Sequence, residues 1–337
     1  MNLSQRKEAF IALGQYLRHL SADTLEEWYV RTRAENTWFT PENIQLALNG
    51  VINYLDSEAL TAWTDKYQLD NLQSKIVGVV MAGNIPLVGF HDFLAVLMAG
   101  HTIQAKLSSQ DSFLLKKLIE ALINIAPQFA EKIQIVQQLK GFEAIIATGS
   151  NNTSRYFEYY FGKYPHFIRK NRNSVAVLTG KETVEEMAAL GSDILQYYGL
   201  GCRNVSKVYV PEGYSFTPLF DAMTAWSKVI DNHRYQNNYD YNKSIYLVNR
   251  VPHLDTGYLL ATPDTRIASP ISVLYTEEYQ DLATLTTQLQ AQEEQIQCIV
   301  AKSLPQLRTV GFGQAQAPQL TDYADGVDTM LFLQNLG

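Results

Sequence analysis

The chain of 337 residues holds only two cysteines, Cys202 and Cys298. Two are too few for a disulfide framework, and they fit a reducing, cytoplasmic setting. Charge is also sparse: Asp, Glu, Lys and Arg make up 18% of the chain, the net charge is −7, and no basic stripe gathers anywhere. A sequence-independent grip on nucleic acid phosphates is therefore not expected, and an anionic membrane surface would repel the chain. A specific basic pocket stays open. Long hydrophobic runs are missing as well. The longest uncharged stretch, 76–90, is cut by Gly83, Asn84 and Pro86 and falls short of the roughly 20 residues that span a bilayer. Residues 1–8 lack the apolar stretch of a secretory signal, so export by that route is not expected. His19, His166, His233 and His253 are scattered without metal-ligand spacing, and no metal is expected.

What is present is a globular composition, 46% hydrophobic, on a chain long enough for two or three domains. Residues 1–66 read as a helical N-terminal region, with Phe10, Leu13 and Leu17 at helical spacing and Thr40-Pro41 as a second helix start. Between 67 and 180, short apolar runs at 76–81, 102–105, 133–136 and 144–147 alternate with helical segments. That alternation predicts an α/β fold with a parallel sheet, which binds ligands at the carboxyl ends of its strands. From 181 to 310 the pattern continues, with a helix at 183–197 and strands at 206–210, 244–248 and 271–275. The Asn- and Tyr-rich stretch 232–242 reads as a surface loop, and 311–337 as a C-terminal tail with a possible role in oligomer formation. Cys298 lies in an apolar, strand-like run and reads as core. The 20 tyrosines and 14 phenylalanines suit either an acyl tunnel or an ordinary core.

Cys202 sits differently, in Tyr197-Tyr198-Gly199-Leu200-Gly201-Cys202-Arg203-Asn204, after a predicted helix and before a strand. Glycines on either side of Leu200 let the backbone bend and turn a thiol toward a channel; the bland alternative is a small buried cysteine. Well before it, Ala82-Gly83-Asn84-Ile85-Pro86-Leu87 ends an apolar strand. A helix and the run Ala99-Gly100-His101-Thr102-Ile103-Gln104-Ala105-Lys106 follow, and then Ala147-Thr148-Gly149-Ser150.

This order resembles the aldehyde dehydrogenase superfamily over roughly residues 75–275. The resemblance implies a Rossmann-type cofactor domain at 67–180 and an α/β catalytic domain at 181–310. It implies Cys202 as nucleophile, Asn84 as the source of an oxyanion-hole amide, and Lys106 at the cofactor ribose. Thr148, Gly149 and Ser150 would begin the nucleotide-binding helix, and Ala82 and Gly83 at the strand end would also bind the cofactor. Ser108 is added by proximity alone. His101 stands where an asparagine is usual and reads as a surface residue, while His91 and Asp92 read as capping or packing groups.

Two departures narrow the chemistry. Where water-using members carry a glutamate base, this chain has Phe167-Ile168-Arg169-Lys170-Asn171-Arg172-Asn173-Ser174. Where they carry the glutamate that holds the nicotinamide ribose, it has Thr265-Arg266-Ile267-Ala268-Ser269-Pro270. A thioacyl enzyme without a water-activating base suits exchange with a thiol. The Gly-Leu-Gly-Cys-Arg-Asn and Asn-Ser-Val-Ala-Val-Leu runs resemble the LuxC-like acyl-CoA reductases, whose usual members are longer. That resemblance implies NADPH-dependent reduction of a fatty acyl-CoA to a long-chain aldehyde, with coenzyme A released, no metal, and an acyl-delivering partner protein or homo-oligomer possible. Arg203 would lower the thiol pKa, meet a coenzyme A phosphate, or simply face solvent. An acyl-phosphate reductase and a non-catalytic nucleotide-binding subunit are the alternatives, and NADH in place of NADPH stays open.

Overall fold

The computed structural model describes residues 1–149 and 151–337, with the backbone alone at Asn151 and Asn152. The chain divides into two compact units, one of residues 1–171 with 319–337 and one of residues 172–318.

The first unit opens with four helices: α1 (Leu3–Arg18), α2 (Ala22–Glu35), α3 (Pro41–Tyr54) and α4 (Ser57–Thr64). Each starts on a side chain that accepts an orphan backbone N–H: Asn2, Ser21, Thr40 and Asp56. Then come β1 (Ile76–Val80), α5 (Phe90–Met98), β2 (Thr102–Lys106), α6 (Phe113–Ile125), β3 (Ile133–Ile135), β4 (Ala144–Thr148), α7 (Asn151–Phe161) and β5 (His166–Arg169). Their strands form one parallel sheet in the order β3-β2-β1-β4-β5. Helix α5 is apolar almost all round, with only His91 less than fully buried, because it is covered on every side. Phe10 of α1 packs edge-on against Phe93 of α5 and Phe129, which joins the N-terminal helices to the sheet layer in one core.

Residues 319–337 complete this core from the other end of the chain. Leu320, Met330 and Leu333 are buried in it, the last two on the C-terminal helix Thr329–Gln334. Tyr323 accepts from the Trp63 indole at 2.6 Å and lies 2.7 Å from the Tyr67 hydroxyl, which donates to Asp328 at 2.7 Å.

The second unit contains β6 (Asn173–Val177), α8 (Val184–Leu195), β7 (Val205–Pro211), α9 (Thr217–Ala222), α10 (His233–Val248), β8 (Leu254–Asp255), β9 (Leu260–Pro263), β10 (Val273–Tyr279), α11 (Leu282–Ala291), β11 (Ile296–Val300) and β12 (Thr309–Val310). Its sheet runs β12-β11-β6-β7-β10-β9-β8, parallel except for the β8–β9 pair. The expected loop at 232–242 and strand at 244–248 are together one helix, α10. Asn232 caps it by accepting from the N–H groups of Arg234 and Tyr235, and Tyr235, Tyr239 and Asn242 form its buried stripe. Cys298, expected in the core, is half-buried on β11.

Candidate active site

In the first unit, β1 lies between β2 and β4, so the strand order reverses there; parallel sheets take ligands at the carboxyl end of such a switch point. Register places the ends side by side, Val80 opposite Lys106 and Val80 opposite Ala147. Ala82, Gly83, Asn84, Lys106, Ser108, Thr148 and Gly149 are thereby gathered along one edge of the sheet. Ser150 lies outside the described residues. A Cβ on Gly83 would stand 2.4 Å from Ser108 Oγ, so the loops after β1 and β2 touch backbone to side chain. A Cβ on Gly149 would stand 2.9 Å from the Phe157 ring, so α7 presses on the turn after β4. Lys106 is exposed at the end of β2. An exposed cation, close-packed small residues and a helix opening just after β4 fit a dinucleotide, whose phosphates favour a helix start.

The loop that carries Asn84 is held from below. Leu87 has a φ of 57°, and the N–H groups of Leu87 and Val88 donate to the Asp111 carboxyl. Asp111 is buried, and burial pushes its pKa up to about 8; the Glu35 carboxylate adds to the rise, while the two amides oppose it. Glu35 in turn accepts from Ser112 N–H at 2.8 Å, Phe113 N–H at 3.0 Å and the Ser112 hydroxyl at 2.8 Å at the start of α6.

Cys202 and Arg203 belong to the second unit. After α8 the backbone passes through three left-handed residues in a row, Tyr197 (φ 51°), Tyr198 (φ 60°) and Gly199 (φ 75°). Glycine does this without strain, whereas each tyrosine costs on the order of 1 kcal/mol. Cys202 is half-buried, and its carbonyl accepts from Ser174 Oγ at 3.1 Å. Ser174 Oγ also accepts from the Cys298 N–H at 3.2 Å and lies 3.0 Å from the Cys298 sulfur. Arg203 Nε donates to the Ala315 carbonyl at 2.5 Å. Asp193 of α8 accepts from the N–H groups of Gly313 at 2.6 Å and Ala315 at 2.9 Å. Burial pushes its pKa up to about 6 against the pull of those amides and of Arg203. The Gln- and Ala-rich stretch after Gly311 is thus tied to α8 and to the residue beside the thiol.

No protein-family model matches the sequence, and no curated protein does. Solved structures do. Aldehyde dehydrogenase 21 from Physcomitrella patens, in complex with its reaction product succinate, aligns over 99% of this chain and 84% of its own at a TM-score of 0.69 and 14% identity. The fold is that of the aldehyde dehydrogenases. An NAD-dependent aldehyde dehydrogenase from Sinorhizobium meliloti aligns over 92% of this chain and 74% of its own, with a TM-score of 0.67 and 12% identity. The Mycobacterium tuberculosis aldehyde dehydrogenase complexed with NAD+ aligns over 92% and 77%, with a TM-score of 0.64 and 13% identity.

Within this aldehyde dehydrogenase-like fold, His101 is not the surface residue expected. It is fully buried, accepts from the Lys75 N–H at 3.2 Å through Nδ1, and places Nε2 2.9 Å from the Leu333 carbonyl. Burial, with Lys132 and Arg6 nearby, lowers its pKa, so it is a neutral packing group. His91 and Asp92 also serve packing. His91 is boxed by Tyr54, Trp63 and Tyr323, and Asp92 forms a bidentate ion pair with Arg169 of β5. The stretch 264–270 joins β9 to β10, with Arg266 paired to Asp264 and the Thr265 carbonyl accepting from the buried Lys207 at 3.0 Å. A cavity of about 350 Å³ lined by Arg6, Asp70, His101 and Lys132 lies at the amino-terminal ends of β1 and β2, away from the gathered residues. Sequence reasoning missed Asp111, Asp193 and Asn204. Only Asn204 carried a signal, by its place in the cysteine run.

Proposed function

We propose that the protein is an NADPH-dependent reductase that converts a fatty acyl-CoA thioester to its aldehyde through a thioacyl intermediate on Cys202. The observation that carries this reading is the stretch 167–174. It supplies Arg169, Lys170 and Arg172 but no carboxylate, on a chain with the aldehyde dehydrogenase fold and a cysteine in the turn after α8. Without a base to activate water, an acyl group on sulfur persists long enough to be reduced.

In this reading the Cys202 thiolate attacks the thioester carbonyl, a C–S bond forms, and coenzyme A leaves as its thiolate. The Cys202 N–H is one donor to the developing oxyanion, and the Asn84 amide is assigned as the other by its motif, each contributing about 3 kcal/mol. Ala82, Gly83, Lys106, Ser108, Thr148 and Gly149 would hold the dinucleotide, which supplies a hydride to the acyl carbon. Breaking of the C–S bond then frees the aldehyde and returns the Cys202 thiolate. Arg203 is engaged through Nε by Ala315, which leaves its outer nitrogens for a coenzyme A phosphate. The stretch 265–270 lacks a glutamate for the nicotinamide ribose, so that contact falls to other groups.

NADPH consumption with a series of acyl-CoA chain lengths, alongside Cys202→Ala, tests this. Turnover that vanishes in the variant is expected. Turnover of acyl phosphates alone would move the assignment to that substrate class, and NADPH binding without any turnover would sink the enzyme reading.

A further inference from the structure

The left-handed run Tyr197–Gly199 leads directly into the turn that bears Cys202, and such backbone persists only where its surroundings determine it. One buried side chain touches both ends of the run. Asn204, 2% exposed, directs Nδ2 at the carbonyls of Gln196 (2.8 Å), Asp193 (3.1 Å) and Ile194 (3.3 Å), at the end of α8 and the first position beyond it. Its Oδ1 accepts from the Gly201 N–H at 2.8 Å. Its backbone N–H donates to the Gly201 carbonyl at 3.0 Å, and its own carbonyl accepts from the Ser174 N–H at 3.2 Å. The residue two places after the thiol therefore fastens the residue just before it to the preceding helix and to β6. An aspartate lacks the donor, a serine lacks the reach and a glutamine is too long, so the two-faced amide on a short stem suits this place.

We propose that Asn204 is the positioning residue for Cys202, fixing the turn in which the thiol sits. The proposal rests on Cys202 being the nucleophile. A thiolate gains stability from amide N–H groups held around it, so a loosened turn raises the pH at which the thiol reacts.

The test measures the rate of iodoacetamide alkylation at Cys202 and Cys298 separately, by peptide mass spectrometry across pH, in the full chain and in Asn204→Ala. Expected is an upward shift of the Cys202 profile larger than any shift at Cys298, which Ser174 joins to the same turn. In acyl-CoA turnover, kcat should fall about 100-fold, with KM within about threefold. If Asn204→Ala does not fold, Asn204→Asp carries the same test. It keeps the Gly201 bond but turns an acceptor toward three carbonyls, so its Cys202 profile should shift upward as well. A Cys202 profile that coincides with that of the unsubstituted protein overturns the proposal, as does an equal shift at both cysteines in a protein that has lost its cooperative melting, which marks general opening. A shifted Cys202 profile in a protein that reduces no acyl-CoA upholds the positioning role and removes the reductase reading alone.

Discussion

Asp111 is a carboxyl kept from water beneath the loop that carries Asn84, and its Oδ1 has no hydrogen-bond partner. Its folded pKa of about 8 stands above the ordinary value of 3.8, so between those limits the folded protein holds a proton that the unfolded chain releases. The linkage then has one sign. The contribution of Asp111 to stability is complete below the unfolded pKa, falls as pH rises toward the folded pKa, and levels off beyond it. The substitution Asp111→Asn keeps a carbonyl oxygen for the Leu87 and Val88 amides and carries no charge to bury, so it removes the titration while leaving those bonds in place. Melting temperature measured from pH 5 to pH 9, roughly the window of that linkage, should therefore fall less steeply in Asp111→Asn than in the parent. The variant should be the more stable of the two at the alkaline end. Parallel curves would show that Asp111 does not titrate in this window.

At the scale of elements, α10 shows what holds a helix whose composition argues against one. Tyr235 is fully buried, and its hydroxyl donates to the Tyr258 carbonyl at 2.9 Å. Tyr235→Phe keeps the ring and orphans that buried carbonyl, so it should cost about 1 kcal/mol in urea unfolding with the helix intact by circular dichroism. A cost near zero would mean that the ring alone anchors α10. The same helix explains where the sequence could not be read. The strands β1, β2, β4, β6 and β7 are apolar runs punctuated by glycine or proline, a local signal. In α10 the buried stripe is built of tyrosine and asparagine, which a polarity reading takes for a loop. β5 hides its signal in Arg169, which is buried where Asp92 and Thr329, both distant in the chain, meet it. The edge that gathers Ala82, Lys106 and Thr148 was legible because strand ends are local features. The left-handed tyrosines before Cys202 and the carboxyls of Asp111 and Asp193 were not, since their conformation and protonation are set by residues distant in sequence.

At the scale of the whole molecule, the first unit is discontinuous: its core is begun by residues 1–171 and finished by 319–337. The returning segment buries Leu320, Met330 and Leu333, at about 1.5 to 3 kcal/mol for each side chain. It also supplies the carbonyls of Leu320 and Leu333 that His91 and His101 meet, and the Thr329 hydroxyl that accepts from Arg169 at 3.1 Å. Removing it would leave the buried Arg169–Asp92 pair open on one side and both histidines without those acceptors. The apolar loss alone rivals the roughly 5 to 15 kcal/mol by which a typical protein is stable. A chain truncated after Pro318 should therefore lose the cooperative melting of the first unit and expose its apolar core to a dye such as ANS. Residues 172–318 contain their own sheet and their own core and should keep theirs. Two melting transitions in the intact chain, of which only one survives truncation, would be the clearest form of this result. A truncated chain that melts as the full one does would mean that the N-terminal helices and the sheet close their core without the returning segment.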